Sequence, residues 1–306
     1  MKLATTTGDF QCYCATVEQC MDYLLEAGFR HADLSLYSPT YCADLLESDD
    51  WQSRARQIKE HAERIGMDFL QSHAPATRLL MGTDKDKEDA IRWTTRTLEV
   101  CAFLGIPNSV VHGGVDWSIK SKDEWTEKSL PFFRALIPTM EKTGVKVLFE
   151  NSASFMTGNS YYPNTGADIC EFLDHLDHPL FGVCWDTGHA NIEGAQYDQI
   201  RTIGQRLGAV HFNDNLGTKD EHTIPMLGTV NVDEVMNALI DVGFGGPLTF
   251  ESGSALRPYK YWVGDRRPFD RDQRLANPTL NMQRSIERFM YDLGVEVLRS
   301  YDLFEE

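Results

Sequence analysis

The chain alternates between short apolar segments of β-rich composition and longer segments in which apolar residues recur with helical spacing. The strand-like segments are KLATTT (2–7), HADLSLY (31–37), DFLQSHA (68–74), NSVVHGG (108–114), KVLFENS (146–152), FGVCWDT (181–187), GAVHFND (208–214) and PLTFES (247–252). A regular alternation of strands and helices predicts parallel strands that are joined by helical crossovers.

The segments between these strands have the pattern of amphipathic helices. Helical spacing is visible in residues 16–29, 53–67, 88–106, 231–244 and 277–298. Glycine follows several of these segments, as expected just past the last turn of a helix. The glycines are Gly28, Gly66, Gly105, Gly144 and Gly243.

Eight strand–helix units in 306 residues are typical of the (β/α)8 TIM barrel. We therefore predict a single (β/α)8 barrel domain over residues 1–306, with a long loop after strand 8 at 252–278 and a C-terminal helix at 279–300. A doubly wound open sheet is the alternative. No G-x-G-x-x-G or G-x-x-x-x-G-K-[ST] motif follows a strand, so its nucleotide-binding forms lose support.

Ionisable side chains collect where the strands end. The carboxyl ends of all the strands of a TIM barrel open onto one face, and active sites lie there. The third to the eighth strands each end in an imidazole or a carboxylate. These residues are His73, His112, Glu150, Asp186, His211 and Glu251, and the adjoining loops add His189, Asp220 and His222.

Any one of these residues alone is more often structural than functional, but their joint placement predicts a metal site. Burying so many charges in one space without a cation costs several kcal/mol for each charge. Carboxylates combined with imidazoles suit a divalent ion such as Mn²⁺, Zn²⁺, Co²⁺ or Mg²⁺.

Composition narrows the class of protein. A formal charge of −17 repels polyanions, which makes nucleic acid an unfavourable partner. No run of 18 apolar residues occurs, so no membrane span is predicted. The seven cysteines are an odd number, which suits reduced thiols, and MKLATTTGDF lacks the apolar region of a signal peptide. We expect a cytoplasmic protein.

Five motifs resemble the xylose-isomerase-like TIM barrel superfamily, which contains sugar isomerases and epimerases, inosose dehydratases and, more distantly, endonuclease IV. They are VLFEN (147–151), CWDTGHAN (184–191), AVHFNDN (209–215), DEHTIPMLGTVN (220–231) and LTFES (248–252). The resemblance covers nearly the whole chain in element order and is most specific in residues 146–251.

The resemblance implies a metal-dependent isomerase or epimerase that acts on a small hydroxy-carbonyl sugar. In the single-metal epimerases of the superfamily, Glu, Asp, His and Glu from strands 5 to 8 hold the ion. The matching residues are Glu150, Asp186, His211 and Glu251. Glu150 and Glu251 would also act as catalytic acid and base, moving a proton through a metal-stabilised enediolate.

The other ionisable residues are predicted to bind substrate. His189 resembles the substrate-binding histidine of the superfamily. The remaining predicted substrate contacts, which could also hold a second ion, are His73, His112, Asp220 and His222. Aromatic residues after strand 5, namely Phe155, Tyr161 and Tyr162, are predicted to form a wall of the sugar site.

Three alternatives stay open. An endonuclease IV-like phosphodiesterase acting on abasic DNA would bind three zinc ions through the same larger set of residues. Its motif, however, usually has Cys at the position of Gly188 and Ser-Lys at 215–216. A related barrel lyase or dehydratase, or a C-glycoside-cleaving subunit, would have the same barrel fold. A metal-stabilised sugar-binding protein would keep the ligands without turnover.

The segment 252–278 is long for a βα connection, whose usual length is about 2–6 residues. It carries six Lys and Arg residues against three Asp residues, together with four aromatic residues. Arginine and aromatic residues are enriched in the cores of protein interfaces. We therefore predict that the segment contacts a neighbouring subunit of a homo-oligomer.

Overall fold

The computed structural model describes residues 1–158, 160–253 and 278–305. Eight parallel strands close into a barrel in chain order, and the last strand pairs with the first. The strands are β1 Leu3–Thr6, β2 His31–Ser35, β3 Asp68–His73, β4 Asn108–His112, β5 Lys146–Glu150, β6 Phe181–Asp186, β7 Leu207–Phe212 and β8 Leu248–Phe250. The predicted (β/α)8 TIM barrel fold is confirmed.

Helices follow the strands and surround the barrel. They are α1 Val17–Ala27, α2 Ala43–Leu46, α3 Trp51–Ile65, α4 Asp84–Leu104, α5 Lys122–Thr143, α6 Ser154–Thr157, α7 Gly166–Leu176, α8 Thr187–Glu193, α9 Tyr197–Ile203, α10 Val232–Asp241 and α11 Leu280–Ser300. Within the described ranges, no helix combines the length and the apolar character that crossing a bilayer requires. Most of the predicted loop after strand 8, residues 254–277, lies outside the described residues, so its subunit contact stays a prediction.

Local sequence signals fix the helix ends. Thr83 and Asp86 form a capping box before α4, in which each side chain accepts a hydrogen bond from the other residue's backbone N–H. The predicted glycines Gly28, Gly66, Gly105 and Gly144 each follow a helix with positive φ. This left-handed conformation is easiest for a residue without Cβ, so these glycines end the helices where the sequence indicated.

The register between neighbouring strands places the strand ends that carry ionisable residues next to one another. His112 pairs with Glu150 across β4 and β5, and Asp186 pairs with His211 across β6 and β7. Glu251 directly follows β8. Because the strands are parallel, these side chains meet at one rim of the barrel.

An apolar layer fills the barrel below that rim. Leu148 lies two residues before Glu150 on β5, so both side chains face the barrel interior. Leu148 forms a fully buried cluster with Val110, Cys184 and Ala209. A Cβ at Gly182 or Gly208 would lie 2.9 or 2.6 Å from a methyl carbon of Leu148, so the two glycines make room for it.

We expect Leu148→Ala to lower the free energy of unfolding by about 2–5 kcal/mol, because the tightly packed site cannot collapse around the cavity. Denaturant unfolding followed by circular dichroism measures the change. The matched control is Leu216→Ala, at a side chain that is 53% exposed, with an expected change within about 0.5 kcal/mol. Equal losses in both variants would contradict the proposed layer.

Candidate active site

A cavity of about 260 Å³ opens at the carboxyl ends of the strands. Predicted site residues line it, together with residues of β1 and β2 and of the segments that follow these two strands. The predicted residues in the lining are His73, His112, His189, His211, His222 and Glu251. The cavity therefore lies where the sequence predicted an active site.

The four predicted metal ligands converge beside this cavity. One ligand atom from each of Glu150, Asp186, His211 and Glu251 lies within 4.8 Å of the others. Nδ1 of His211 is 2.9 Å from Oε1 of Glu150 and 3.3 Å from Oε2 of Glu251. Atoms this close together could all bind one ion.

Two further groups adjoin the first. His73 and His112 place their Nε2 atoms 3.4 and 3.3 Å from Oε2 of Glu150. On the other side, Nε2 of His222 is 2.9 Å from Oδ1 of Asp220, and Nε2 of His189 is 3.6 Å from the same oxygen. The structure thus brings all nine predicted site residues together in three adjoining groups.

Asp186 is held rigidly by its neighbours. It ends β6 and caps α8, because its Oδ1 accepts a 2.6 Å hydrogen bond from the backbone N–H of His189. Its Oδ2 accepts one from Nδ2 of Asn213, also at 2.6 Å. The side chain of Asn151 binds both its backbone N–H and its carbonyl. The Asp-Thr-Gly-His motif therefore fixes Asp186 and His189 relative to each other.

Three histidines share one orientation. Nδ1 of His73, His189 and His222 lies 2.8, 2.9 and 2.7 Å from the backbone carbonyl oxygens of Ala74, Asn151 and Glu251. A carbonyl accepts hydrogen bonds only, so each Nδ1 carries the hydrogen. In the neutral imidazole, the lone pair is then on Nε2, which lies 3.4 Å from Oε2 of Glu150 in His73, and 3.6 and 2.9 Å from Oδ1 of Asp220 in His189 and His222. This is the tautomer that a metal ligand requires.

The backbone of His222 has an unfavourable conformation. Its backbone has φ of +49°, in the left-handed region that residues with a Cβ rarely adopt. Such strain persists where surrounding contacts impose it and is frequent at functional sites.

Several buried polar atoms in the site have no hydrogen bond to any residue that the structure describes. They include Oε2 of Glu150 and Nε2 of both His73 and His189. A buried polar atom without a hydrogen bond is unfavourable. Glu150 and His73 belong to one group whose ligand atoms are close enough to share a cation, and His189 belongs to another, so the residues fit a metal site.

The pKa values of Glu150 and Asp186 are shifted in opposite directions. Burial alone favours the neutral acid of Glu150, but the electrostatic interactions with His112 and His211 and the hydrogen bond to His211 hold its pKa well below the usual value. Burial raises the pKa of Asp186 to about 6, although His189 opposes the shift. Glu150 is consequently ionised at neutral pH and available as a ligand or a base.

The pKa values of His112 and His189 are also shifted in opposite directions. Burial lowers the pKa of His112 to about 4, so this ring is neutral at neutral pH. For His189, burial also acts downward, but Asp186 and Asp220 raise its pKa well above the usual value. The two imidazoles therefore differ in charge although both adjoin the same cavity.

Sequence reasoning missed the wall formed by β2. Asp33 and Ser35 line the cavity, and both belong to the segment HADLSLY. Their spacing of two places them on the same face of the strand, which is the inward face. Polar residues at alternating positions of a strand otherwise expected to be apolar were the signal for this wall.

The predicted aromatic wall is wrong for Tyr162. Its hydroxyl donates to the backbone carbonyl of Glu150 at 3.0 Å and accepts from the backbone N–H of Gly113. Its ring packs against Phe149 and Trp125, behind the strands. Tyr162 thus supports β5 from outside the barrel. The side chain of Phe155 lies outside the described part of the chain, and Met156 lines the cavity instead.

Sequence and fold are both similar to known proteins. The model of the family described as xylose isomerase-like TIM barrel matches residues 21–274. The uncharacterized protein y4fM of Sinorhizobium fredii is 23% identical over 266 residues, which cover 77% of this chain and 81% of that protein. The D-psicose 3-epimerase of Ruminiclostridium cellulolyticum is 28% identical over 170 residues, which cover 52% of this chain and 55% of the enzyme, about half its length.

The fold is also that of solved structures. The crystal structure of D-psicose 3-epimerase with D-tagatose from Clostridium cellulolyticum H10 superposes with a TM-score of 0.73. The superposition covers 97% of this chain and 99% of that chain, at 21% sequence identity.

We expect Gly188→Ala to destabilise the protein by at least about 1 kcal/mol. The added Cβ would lie 1.8 Å from Oδ1 of Asn213, so Asn213 would have to move and give up its hydrogen bond to Asp186. Alanine is normally the better helix former, so the predicted sign is the reverse of the usual one. Urea unfolding measures the change.

The matched control for this variant is Gly245→Ala, where an added Cβ meets no atom within 4 Å and the backbone φ is not positive. Its stability should change by no more than about 0.5 kcal/mol. A Gly188→Ala protein as stable as the wild type would contradict the proposed bracing of Asp186.

Proposed function

The chain belongs to the xylose isomerase-like TIM barrel family, and we propose that it is a metal-dependent isomerase or epimerase of a small hydroxy-carbonyl sugar. The observation that carries the proposal is the convergence of Glu150, Asp186, His211 and Glu251 on one point at the barrel mouth. The similarity to a D-psicose 3-epimerase supports sugar epimerisation as the reaction class.

These four residues are the proposed ligands of one divalent ion, which would be Mn²⁺, Zn²⁺, Co²⁺ or Mg²⁺. When bound, the ion would polarise the sugar carbonyl and offset the negative charge of the enediolate. The two adjoining groups around His73 and His189 offer ligands for further ions or contacts for substrate oxygens.

Glu150 and Glu251 are the proposed acid and base. An oxygen of each lies within 3.3 Å of Nδ1 of His211, so both carboxylates lie beside the same proposed ligand. One carboxylate removes the proton from the carbon next to the sugar carbonyl and becomes the neutral acid. Isomerisation requires it to return that proton to the neighbouring carbon. Epimerisation requires the other carboxyl group to start in the protonated form and to deliver its proton to the opposite face.

The remaining predicted residues would bind sugar oxygens. His73 and His189 line the cavity, and Asp220 and His222 lie beside His189. The cavity of about 260 Å³ is slightly smaller than the range of about 300–1,000 Å³ that is usual for small-molecule sites. A compact ligand such as a monosaccharide suits it better than a polymer.

A second candidate is an endonuclease IV-like phosphodiesterase, which the three adjoining ligand groups favour. Multi-metal sites suit in-line displacement at phosphorus because separate ions stabilise the attacking and the leaving oxygen. Against it stand the charge of −17 and the residues Asn215 and Leu216 in place of Ser-Lys. The experiments below separate the two functions.

We expect protein purified without added metal to carry about one divalent ion or more per chain by elemental analysis, because the four-ligand set is complete. Chelation should lower the melting temperature, and Mn²⁺, Co²⁺ or Zn²⁺ should restore it. Less than about a tenth of an ion per chain, with no gain in stability on adding metal, would contradict the metal site.

Glu150→Gln and Glu251→Gln should each lower turnover by at least about 100-fold, because each removes a ligand charge and a proton-transfer group. Wild-type protein incubated with free ketohexoses in D₂O should introduce deuterium at the carbon next to the carbonyl, as NMR would detect. Glu287→Gln is the matched control, since Glu287 is equally buried but outside the ligand groups, and it should retain exchange.

The exchange experiment also tests the other functions. Cleavage of abasic-site DNA by the metal-loaded protein, without deuterium incorporation into any ketose, would favour the phosphodiesterase. Sugar binding without either activity would favour the binding protein.

A further inference from the structure

A buried polar network lies behind His211, on the side away from the carboxylates. Nε2 of Gln71, on β3, is 3.1 Å from Nε2 of His211 and 3.2 Å from Oδ2 of Asp33. The hydroxyl of Thr249, on β8, lies 3.2 Å from Oε1 of Gln71. All four side chains are almost fully buried. The amide of Gln71 therefore joins β2, β3, β7 and β8 below the candidate metal site.

His211 differs from the three histidines that are oriented by the backbone. In His73, His189 and His222, a backbone carbonyl oxygen fixes Nδ1. In His211, Nδ1 lies beside Glu150 and Glu251, and the group that contacts the other nitrogen, Nε2, is the side chain of Gln71. The orientation of the His211 ring consequently depends on the side chain at position 71 rather than on a backbone carbonyl.

If His211 is a metal ligand, the side chain of Gln71 must provide a particular hydrogen-bonding group. If Nδ1 of His211 gives its lone pair to an ion, the ring hydrogen is on Nε2. The opposing group must then accept a hydrogen bond. The structure has the amide nitrogen of Gln71 facing His211. The oxygen and the nitrogen of an amide exchange places when the group is turned by 180° about its last bond, and Gln71 meets the requirement in that turned orientation, with Oε1 toward His211.

We propose that Gln71 is the positioning residue that holds His211 with Nδ1 directed at Glu150 and Glu251. The inference rests on the proposed metal site and goes beyond its four ligands. Gln71 is fully buried and does not line the cavity, so it would act through the imidazole.

The neighbours of Gln71 allow this orientation of the amide. With Oε1 toward His211, Nε2 faces the hydroxyl of Thr249, which can accept as well as donate. Asp33 then faces Oε1, and burial raises the pKa of Asp33 to about 6. This shift makes it easier for the carboxyl group to take up the hydrogen that a contact to Oε1 needs, while Thr6 donates to the other carboxyl oxygen.

The test measures metal affinity, with Co²⁺ and Zn²⁺ as probes in competition with a chromophoric chelator. Gln71→Leu removes the acceptor and keeps similar volume, and it should weaken binding by about 10–100-fold. The visible spectrum of the Co²⁺-loaded variant should also differ from that of the wild type, because a reoriented imidazole changes the ligand field. Gln283→Leu, at another fully buried glutamine away from the ligand groups, should leave both readouts unchanged.

A rescue separates positioning from packing. The paired change Asp33→Asn with Gln71→Glu exchanges the amide and the carboxyl group, and so keeps an acceptor opposite Nε2. It should bind Co²⁺ within about threefold of the wild type. Thr249→Val, which keeps the volume but removes the hydroxyl partner of the amide, should weaken binding by at least about threefold, and it serves if Gln71→Leu does not fold.

The inference is overturned if Gln71→Leu binds Co²⁺ within about twofold of the wild type with an unchanged spectrum. It is equally overturned if the paired exchange loses as much affinity as Gln71→Leu, since the role would then be packing. A wild-type protein that binds neither ion would instead refute the proposed metal site, which is a different outcome.

Discussion

Glu150 is completely buried, and four imidazoles surround its carboxylate. Nitrogen atoms of His73, His112, His189 and His211 lie 2.9–3.9 Å from its two oxygens. A buried carboxylate is tolerated only when it is paired and hydrogen-bonded. The rest of the site can be understood from that requirement, because the strand register, the helix cap at Asp186 and the backbone carbonyls all hold imidazoles or carboxylates around this one charge.

The fold and the cluster of ionisable residues could be predicted from the sequence because both follow from periodic patterns. Strand–helix alternation predicts the barrel, and the barrel places every strand end on one face. The position of an ionisable residue at a strand end then suffices to bring, for example, His73 and Glu251 together. No knowledge of loop structure is needed for that step.

The residues that were missed depend on contacts which periodicity does not specify. Tyr162 lies in a loop, and whether its ring turns into the cavity or behind β5 is decided by the space beside Trp125 and Phe149. Gln71 and Asp33 do lie at inward positions of their strands, but a polar residue inside a barrel has many uses. Only the distances show that Gln71 contacts both Asp33 and His211.

Asp186 illustrates how folding and ligand capture are connected in this barrel. Both of its carboxylate oxygens are already bound, one by the first turn of α8 and one by Asn213. The side-chain rotamer of Asp186 is therefore fixed when the protein folds. The conformational entropy that this side chain loses is part of the free energy of folding. An arriving cation would meet this ligand already immobilised, so little ordering entropy would oppose its capture at Asp186.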